Sequence, residues 1–339
     1  MHVVHELFDP YRKPESGTRQ ITLTGHPHIA EPIVGAFGVF DGVHQGHRML
    51  IGEAIVKAHE MGCRSAILTF DRDPDELFAT SHGVRHILTD EDRLALLSTL
   101  GADYLFVLPF TRDFSELEPI EFLDSLISFG IDARAVYVGS DFRFGYRAQG
   151  NVAILRDWCS LHGCKVYALD LLCERKRTIT ATRIRGEIEH HSIEEANRLL
   201  ERTHYIRGYV NKGRGAGKGL GFATANVVPL PDYTCIGDGV YAGYALIAGH
   251  FYKAAIAVGV PSTFGKLPHT IEAHILDFSG ELYGDEIALY LISFIRPMKT
   301  FPSEKELIET VLSNIAWVGE NLPAPNEDGT LRSQDIACS

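Results

Sequence analysis

The chain of 339 residues is poor in cysteine and in basic side chains, and it has no long apolar run. Six cysteines are spread along it without a CxxC pair, which indicates reduced thiols and a cytoplasmic protein. The net charge of −12 argues against a nucleic-acid partner, although a local basic pocket for a small phosphorylated ligand stays compatible with it. Because no stretch approaches ~18 apolar residues and the first residues lack an apolar signal core, we expect neither a membrane span nor a secretory signal.

The length predicts two domains, and the pattern of apolar residues changes along the chain. In the first half, apolar strand-like runs alternate with helix-like stretches, which predicts an α/β architecture with a parallel sheet and right-handed crossovers. One helix is predicted by the shared face of Leu50, Ala54 and Ala58, with Gly62 as its stop. The strand-like runs read EPIVGAFGVF, SAILTF, YLFVLPF, AVYVGSDF and KVYALDLL.

From His204 onward the chain consists of short strand-like segments separated by glycine-rich turns, which predicts an antiparallel barrel or sandwich. Helices are predicted on both sides of this region, since capping-box pairs begin the segments at Ser192 and Ser303. The polar, proline-containing end of the chain predicts a flexible tail. We therefore divide the chain into a first domain at 1–187, a linker helix at 188–203, a second domain at 204–322 and a tail at 323–339.

The segment FGVFDGVHQGHRML combines three glycines and two histidines where a strand-like run gives way to a helix-like one. A helix N-terminus offers unpaired N–H groups and a positive dipole end, which suit phosphate, and its glycines would let a ligand approach the backbone. His44 and His47 would then reach the same ligand and donate hydrogen bonds to phosphate oxygens. Taken alone, the same residues also fit polar surface groups or a chance metal site.

Motifs in both halves resemble those of one enzyme family, in the family's order. GVFDGVHQGH is similar to the HxGH-type signature of nucleotidylyltransferases and, more closely, to the FMN adenylyltransferase module of bacterial bifunctional riboflavin kinase/FAD synthetases. The resemblance implies a Rossmann-like nucleotidylyltransferase domain followed by an antiparallel β-barrel riboflavin kinase domain with a terminal helix, an α/β plus β protein. The other motifs are TFDRDP, VGSDFRFGYRAQG and ITATRIR in the first half, and GRGAGKGLGFATAN, GDGVYAG, AVGVPSTFG and TIEAHILDF in the second.

For the first module the resemblance implies transfer of AMP from ATP to the phosphate of FMN, which gives FAD and pyrophosphate. It assigns His44, His47 and Arg185 to catalysis, through alignment and charge stabilisation rather than through a base. Without the accompanying motifs, an arginine here would be interpreted as a helix-surface charge. The implied ligand contacts are Gly38, Asp41, Gly42, Gly46, Asp141, Thr182 and Arg183.

For the second module the resemblance implies transfer of the γ-phosphate of ATP to the 5′-hydroxyl of riboflavin. Because a hydroxyl is a poor nucleophile at neutral pH, a base is needed, and Glu272 matches the family's catalytic glutamate. Alternation along TIEAHI predicts that Glu272 and His274 share one strand face. By spacing alone, Glu272 would be a strand residue facing water and the glycine-rich stretch a flexible hairpin. The implied ligand contacts are Gly217, Lys218, Gly221, Thr224 and Asn226, the last two also binding Mg²⁺.

Several positions depart from the family pattern. Asp73 stands where the family has a histidine, and an acid that faced phosphate would repel it. Ala181 replaces a serine, which removes a hydroxyl donor worth about 0.5–1.5 kcal/mol. In the second module the departures are Lys218, Ala223, Pro261 and Ser262.

Three hypotheses follow. The chain is a bifunctional enzyme with riboflavin, FMN and ATP as ligands, a diverged paralogue that keeps one activity, or a non-catalytic flavin-binding regulatory protein. Retention of Glu272, His44 and His47 favours an enzyme, because a protein that only binds flavin needs no base. None of the three involves nucleic acid or a membrane, and a weak homo-oligomer is compatible with each.

Overall fold

The computed structural model of the chain describes residues 6–12, 17–23, 31–77, 85–212, 223–231, 236–259 and 270–326. Contacts among them define two compact units. The sheet unit comprises the described residues of 13–84 and 90–181, and the barrel unit comprises those of 1–12, 85–89 and 182–339. Each unit therefore contains residues from more than one stretch of the sequence, while the linear domain boundaries given above stay a prediction.

A parallel sheet forms the centre of the sheet unit. Its strands are β1 (Arg19–Thr22), β2 (Ile33–Phe37), β3 (Arg64–Phe70), β4 (Tyr104–Leu108), β5 (Ala133–Gly139) and β6 (Lys165–Leu169). In the described part of the chain their order is β1-β4-β3-β2-β5-β6, and every adjacent pair is parallel. The predicted parallel sheet is confirmed. The order reverses at β2, since β3 and β4 lie on one side of it and β5 and β6 on the other, and ligands of open α/β sheets bind at the carboxyl ends beside such a reversal.

Helices cover both faces of this sheet. They are α1 (Gln45–Met61), α2 (Asp90–Ser98), α3 (Arg112–Ser115), α4 (Pro119–Ser128) and α5 (Val152–Leu161). Helix α1 packs on β2, β3 and β5 with Leu50 and Ala54 buried, and Gly62 ends it in the left-handed conformation at φ 63°, as predicted. Helices α4 and α5 bury Phe122 and Leu155 against Phe37 in a separate apolar cluster. Because neighbouring strand residues point to opposite faces, α1 and this cluster lie on opposite sides of the sheet.

A closed antiparallel barrel forms the barrel unit. Its strands are β9 (His204–Asn211), β10 (Ala225–Pro229), β11 (Gly239–Ile247), β12 (His250–Gly259), β13 (Thr270–Ile275) and β14 (Glu286–Pro297), and they follow the order β10-β13-β12-β11-β14-β9. Pairing of β10 with β9 closes the ring, so the barrel is confirmed and the sandwich alternative is excluded. The remaining elements are a hairpin of β7 (Cys173–Glu174) and β8 (Arg177–Thr178), and the helices α6 (Ala181–Glu189), α7 (Ile193–Leu200) and α8 (Glu304–Asn321). None of the described helices is long and apolar enough to cross a membrane.

The first described residues of the chain belong to the barrel unit, which the sequence did not indicate. The Phe8 ring stacks on Tyr205 with centroids 6.3 Å apart, and the Phe8 carbonyl accepts a hydrogen bond from the Tyr290 hydroxyl. The Arg207 guanidinium lies 5.3 Å from the centre of the Tyr11 ring. An aromatic cluster on the barrel surface is thereby covered by the start of the chain.

Helix α7 docks on the barrel through one buried asparagine. The Asn197 side chain is 1 % exposed. Its Nδ2 donates to the Leu291 carbonyl at 2.8 Å, and its Oδ1 accepts from the His204 backbone N–H at 2.7 Å. The carboxamide therefore bonds main-chain groups of two adjacent strands, β9 and β14.

Replacement of Asn197 by leucine is expected to destabilise the barrel unit by about 2–4 kcal/mol, because it leaves a buried donor and a buried acceptor unpaired. Equilibrium urea unfolding followed through Trp317, in α8, measures this change. Asn321→Ala, at an exposed helix end, is the control and should change the free energy of unfolding by less than about 0.5 kcal/mol. An equally small effect of Asn197→Leu would contradict the assigned bonds.

Acid is expected to destabilise the barrel because of a buried histidine. His204 is fully buried, and neither ring nitrogen has a hydrogen-bond partner among the described residues. Burial, and then the charge of Arg202, lowers the pKa of His204 to about 3. The unfolded chain, with an ordinary pKa near 6.5, binds the proton more readily, so this stability is present above pH 6.5 and is lost as the pH falls toward 3.

Between pH 8 and pH 5 this single group is expected to remove about 2 kcal/mol from the free energy of unfolding. Urea titrations at the two pH values, on the wild type and on His204→Phe, separate the contribution of His204 from that of the carboxylates and of the other histidines. The difference between pH 8 and pH 5 should be smaller by this amount in the variant. Equal pH dependence in both proteins would show that His204 does not carry it.

Candidate active sites

The turn after β2 has an unusual backbone. Phe40 lies in the left-handed region at φ 61°, Gly42 follows at φ 72° and Val43 at φ 43°, around a short 3-10 turn at Asp41–Val43. Left-handed conformations cost a residue with a side chain about 1–3 kcal/mol and cluster at functional sites. The Gly38 position makes room for the turn, since a Cβ there would lie 3.0 Å from the Phe40 ring. The two predicted histidines follow directly.

The rings of His44 and His47 stack on each other, with centroids 3.6 Å apart and planes 20° apart. The Phe40 ring meets His47 edge-on at 5.3 Å. Gly46 lets the rings meet, because a Cβ there would lie 3.3 Å from the His44 ring. The structure thus brings together the two histidines that the sequence predicted to share a ligand.

His47 is a neutral imidazole at physiological pH. Burial, and then the closeness of His44, holds the pKa of His47 well below its usual range. Its Nδ1 is buried and has no hydrogen-bond partner among the described residues. A neutral ring carries one N–H donor and one acceptor, so His47 can donate a hydrogen bond to an anionic ligand although the ring itself is uncharged.

Asp141 lies beside this turn in the sheet topology. It follows β5, and β5 pairs with β2, so both connections leave the carboxyl edge of the sheet at the reversal of strand order. Asp141 is exposed, and its carboxylate occupies space that a side chain at 139 would fill, since a Cβ on Gly139 would lie 2.7 Å from Oδ1. Asp73 follows β3, the other neighbour of β2, at the same edge.

Arg93 is a residue of this region that the sequence did not reveal. Its side chain is 3 % exposed, and its guanidinium binds groups at the ends of both β2 and β3. An arginine in the segment EDRLALL has the pattern of a solvent-facing helix residue, so no local signal marks it. Only the packing of α2 places it inside.

The predicted phosphate-binding arginines of α6 differ in their surroundings. The Arg183 side chain is 7 % exposed, and its guanidinium forms ion pairs with Glu195 at 2.8 Å and Glu187 at 3.7 Å. The Arg185 guanidinium donates to the Thr182 hydroxyl at 3.3 Å and is only partly buried. These residues belong to the barrel unit.

A polar row crosses three strands on the outer face of the barrel. Glu272 of β13 lies directly opposite Asn226 of β10, which lies opposite Asn211 of β9. Directly opposed residues on antiparallel strands have their Cβ atoms about 4.5–5.5 Å apart, so a single ligand can reach all three. The sequence had identified Glu272 and Asn226 but not Asn211, which carries no motif signal.

The expected alternation along β13 is confirmed. Ile271, Ala273 and Ile275 are buried, whereas Glu272 and His274 are partly exposed. The His274 ring nitrogen Nδ1 lies 2.8 Å from the carbonyl oxygen of Ala223, so it holds the segment just before β10. Thr224, which lies between Ala223 and the first residue of β10, is partly buried.

Some of the predicted contacts lie outside the described residues. These are Gly217, Lys218 and Gly221, together with Pro261 and Ser262. The described chain ends at Lys212 and resumes at Ala223 on one side, and ends at Gly259 and resumes at Thr270 on the other.

Comparison with known proteins identifies the family. A family model described as FAD synthetase matches residues 26–183, and one described as riboflavin kinase matches residues 200–322. The bifunctional riboflavin kinase/FMN adenylyltransferase of Bacillus subtilis is 33% identical over 296 residues, which cover 84% of this chain and 93% of the relative. The chain belongs to the bifunctional riboflavin kinase/FMN adenylyltransferase family. The resemblance inferred from the motifs is confirmed.

A second relative agrees with this assignment, and a solved structure matches the fold. The Escherichia coli K12 protein of the same description is 31% identical over 278 residues, covering 82% of this chain and 88% of that one. Among solved structures, a Streptococcus pneumoniae protein described as a macrolide-efflux protein matches with a TM-score of 0.78 at 27% identity, covering 89% of this chain and 99% of that one. This family member therefore has both catalytic regions and the fold expected from its sequence.

Proposed function

We propose that this chain makes FMN from riboflavin and then FAD from FMN, each time with ATP. The riboflavin kinase region at 200–322 would carry the first reaction and the FAD synthetase region at 26–183 the second. The stacked pair of His44 and His47 at the reversal of strand order is the observation that supports adenylyl transfer most directly. The opposition of Glu272 and Asn226 supports phosphoryl transfer.

In adenylyl transfer the phosphate oxygen of FMN attacks the α-phosphorus of ATP, and the bond to pyrophosphate breaks. The FMN phosphate is already an anion and needs no base. The protein has to align it with the α-phosphorus and to stabilise the charge that develops. His47, as a neutral ring, would donate a hydrogen bond from its N–H to a phosphate oxygen as charge develops. The Arg183 guanidinium already holds an ion pair with Glu195 inside the barrel unit.

In phosphoryl transfer Glu272 takes the proton of the riboflavin 5′-hydroxyl while that oxygen attacks the γ-phosphorus and ADP leaves. Asn226, across the strand pair, contacts the phosphates. The oxygen donors of Thr224, Asn226 and Glu272 are of the kind that Mg²⁺ prefers, so they fit this ion. Thr224 and Asn226 would hold it, and when bound it neutralises charge on the phosphate oxygens.

The test is turnover by the purified full-length chain. With riboflavin, ATP and Mg²⁺, chromatography should show FMN and FAD, and with FMN supplied directly, pyrophosphate should appear together with FAD. Absence of both products would overturn the proposal. Omission of Mg²⁺ in the presence of a chelator should stop FMN formation, and undiminished FMN formation without the ion would contradict its assignment.

One observation favours a narrower second candidate, a paralogue that retains riboflavin phosphorylation alone. Asp73 replaces a histidine and lies at the carboxyl edge of the strand next to β2, the edge that carries the histidine pair. Its negative charge would oppose triphosphate binding there. FMN formation without pyrophosphate release from supplied FMN would select this candidate, and restoration of FAD formation by Asp73→His would identify the cause.

A cytoplasmic location and a weak homo-oligomer are also proposed. ATP and both flavins are soluble small molecules, and the six cysteines include buried free thiols at Cys159 and Cys164. Cell fractionation and sedimentation velocity test these two statements.

A further inference from the structure

The Arg93 clamp joins the ends of two strands through one guanidinium. We define it as Arg93 with Val39, Thr69, Phe70 and Asp90. Arg93 Nη1 donates to the Val39 carbonyl at 2.9 Å and to the Thr69 hydroxyl at 2.8 Å. Nη2 donates to the Phe70 carbonyl at 2.9 Å and to the Asp90 carboxylate at 2.7 Å. The Thr69 hydroxyl itself donates to the Val39 carbonyl at 3.1 Å.

The clamp lies just beyond the end of β2, where the hydrogen bonds of the sheet no longer hold the main chain. Strand β2 ends at Phe37, and its last ladder bond runs from the Gly38 N–H to the Leu68 carbonyl at 3.1 Å. The Val39 carbonyl therefore has no strand partner, and Arg93 and Thr69 supply its hydrogen bonds. The residue after Val39 is the left-handed Phe40, whose ring contacts His47.

We propose that Arg93 is a positioning residue for adenylyl transfer. It fixes the Val39 peptide, which keeps Phe40 in its left-handed conformation and holds the His47 ring against His44. Arg93 acts through these groups and not by touching the nucleotide. The inference rests on the proposed FAD-forming reaction, and it goes beyond it by assigning α2, which lies outside the motifs quoted for the resemblance, to that site.

An arginine is required here for geometric reasons. Its planar fork presents separate N–H groups to acceptors on two strands at once, whereas a lysine offers one nitrogen and can reach only part of the set. The positive charge of the guanidinium is balanced by a different group, the partly exposed carboxylate of Asp90. Loss of the fork and loss of the counter-charge can therefore be separated by mutation.

The experiment compares five variants of the full-length chain. Arg93→Lys is expected to lower kcat for FAD formation from FMN by about 10- to 100-fold with KM for ATP changed less than about 3-fold, because a displaced catalytic group affects the transition state most. Thr69→Val should lower kcat in the same sense but less. Asp90→Asn removes the counter-charge but keeps an acceptor, so it should lower kcat less than Arg93→Lys does. Arg134→Lys, at an exposed arginine of the same unit, is the control and should stay within about 2-fold of the wild type.

Three further readouts separate positioning from simple stability. Riboflavin phosphorylation by the same protein should be unchanged in Arg93→Lys, which provides an internal measure of folded enzyme. In Arg93→Ala, guanidinium ion at millimolar concentration should restore FAD formation in part, whereas tetramethylammonium at equal ionic strength should not. The NMR signals of the His47 ring should move in Arg93→Lys and stay in place in Arg134→Lys.

The outcomes are distinct. Wild-type FAD formation together with a kcat for Arg93→Lys within 2-fold of normal would overturn the inference and leave the proposed function intact. Parallel loss of both activities in Arg93→Lys, with a lowered melting temperature and no rescue of Arg93→Ala, would show a purely structural residue and also overturn it. If the wild-type chain makes no FAD from FMN, the proposed function falls first and this inference falls with it.

Discussion

His47→Ala is expected to lower FAD formation from FMN by about 100- to 1,000-fold, the usual loss when one transition-state hydrogen-bond donor is removed. The alanine also removes the ring that stacks on His44 at 3.6 Å, so His44 loses a neighbour that orients it. Riboflavin phosphorylation should stay at the wild-type rate, because Glu272 and Asn226 are part of a different unit. Initial rates of each half-reaction, measured with riboflavin or with FMN as the sole flavin, test this.

His59→Ala is the matched control, since His59 is an exposed histidine on the same helix. It should leave both rates within about 2-fold of normal. His47→Asn keeps a side-chain N–H donor on a shorter arm and should fall between the wild type and the alanine variant. A full rate of FAD formation in His47→Ala would remove the histidine pair from the proposed mechanism.

Glu272→Gln is expected to lower FMN formation by about 100- to 10,000-fold, because loss of a general base leaves the riboflavin hydroxyl unactivated. Glutamine keeps the size of the side chain and its place opposite Asn226, so packing of β10 on β13 should be preserved. FAD formation from supplied FMN should continue. The effect should appear in kcat more than in KM, since the base acts in the transition state.

Glu281→Gln serves as the control for this variant, as Glu281 is an exposed carboxylate of the same unit. Near-normal FMN formation by Glu272→Gln would show that Glu272 is a strand residue facing water, the interpretation that spacing alone supports. Equal loss of both activities in a folded Glu272→Gln protein would instead contradict the assignment of two separate reactions.

The two variants can also be tested together. An equimolar mixture of His47→Ala and Glu272→Gln should convert riboflavin to FAD, because FMN released by the first protein is the substrate of the second. Each variant alone should stop at its own step. Failure of the mixture, with each remaining half-reaction normal, would show that FMN does not leave the chain between the two steps.

Much of the fold was predictable because it depends on short-range pattern. The end of α1 at Gly62 follows from an apolar spacing of three and four residues and a residue that tolerates positive φ. The alternation of Glu272 and His274 with buried neighbours follows from the two-residue repeat of a strand. The histidine pair was found because both residues lie within one helical turn of the start of α1.

The roles of the candidate residues stay predictions. The structure adds what surrounds each of them, which the motif does not specify. Arg183 and Arg185 belong to the same motif, ITATRIR, and the structure places Arg183 between the carboxylates of Glu187 and Glu195. Glu195 lies 12 positions away from Arg183 in the sequence, so no local repeat relates them. An ion pair of this kind depends on how α6 and α7 meet.

By itself, the sequence determined the class of each half, most of its strands and the family, because periodicity and motifs are properties of neighbouring residues. Strands β1 and β10 were not among the predicted runs. Tertiary structure alone decided that the strand order reverses at β2, that the barrel closes, that Asn226 faces Glu272 and that Arg93 lies beneath the histidine turn. Each of these joins residues at least 15 positions apart. Such contacts depend on the packing of whole elements, which local preference does not specify.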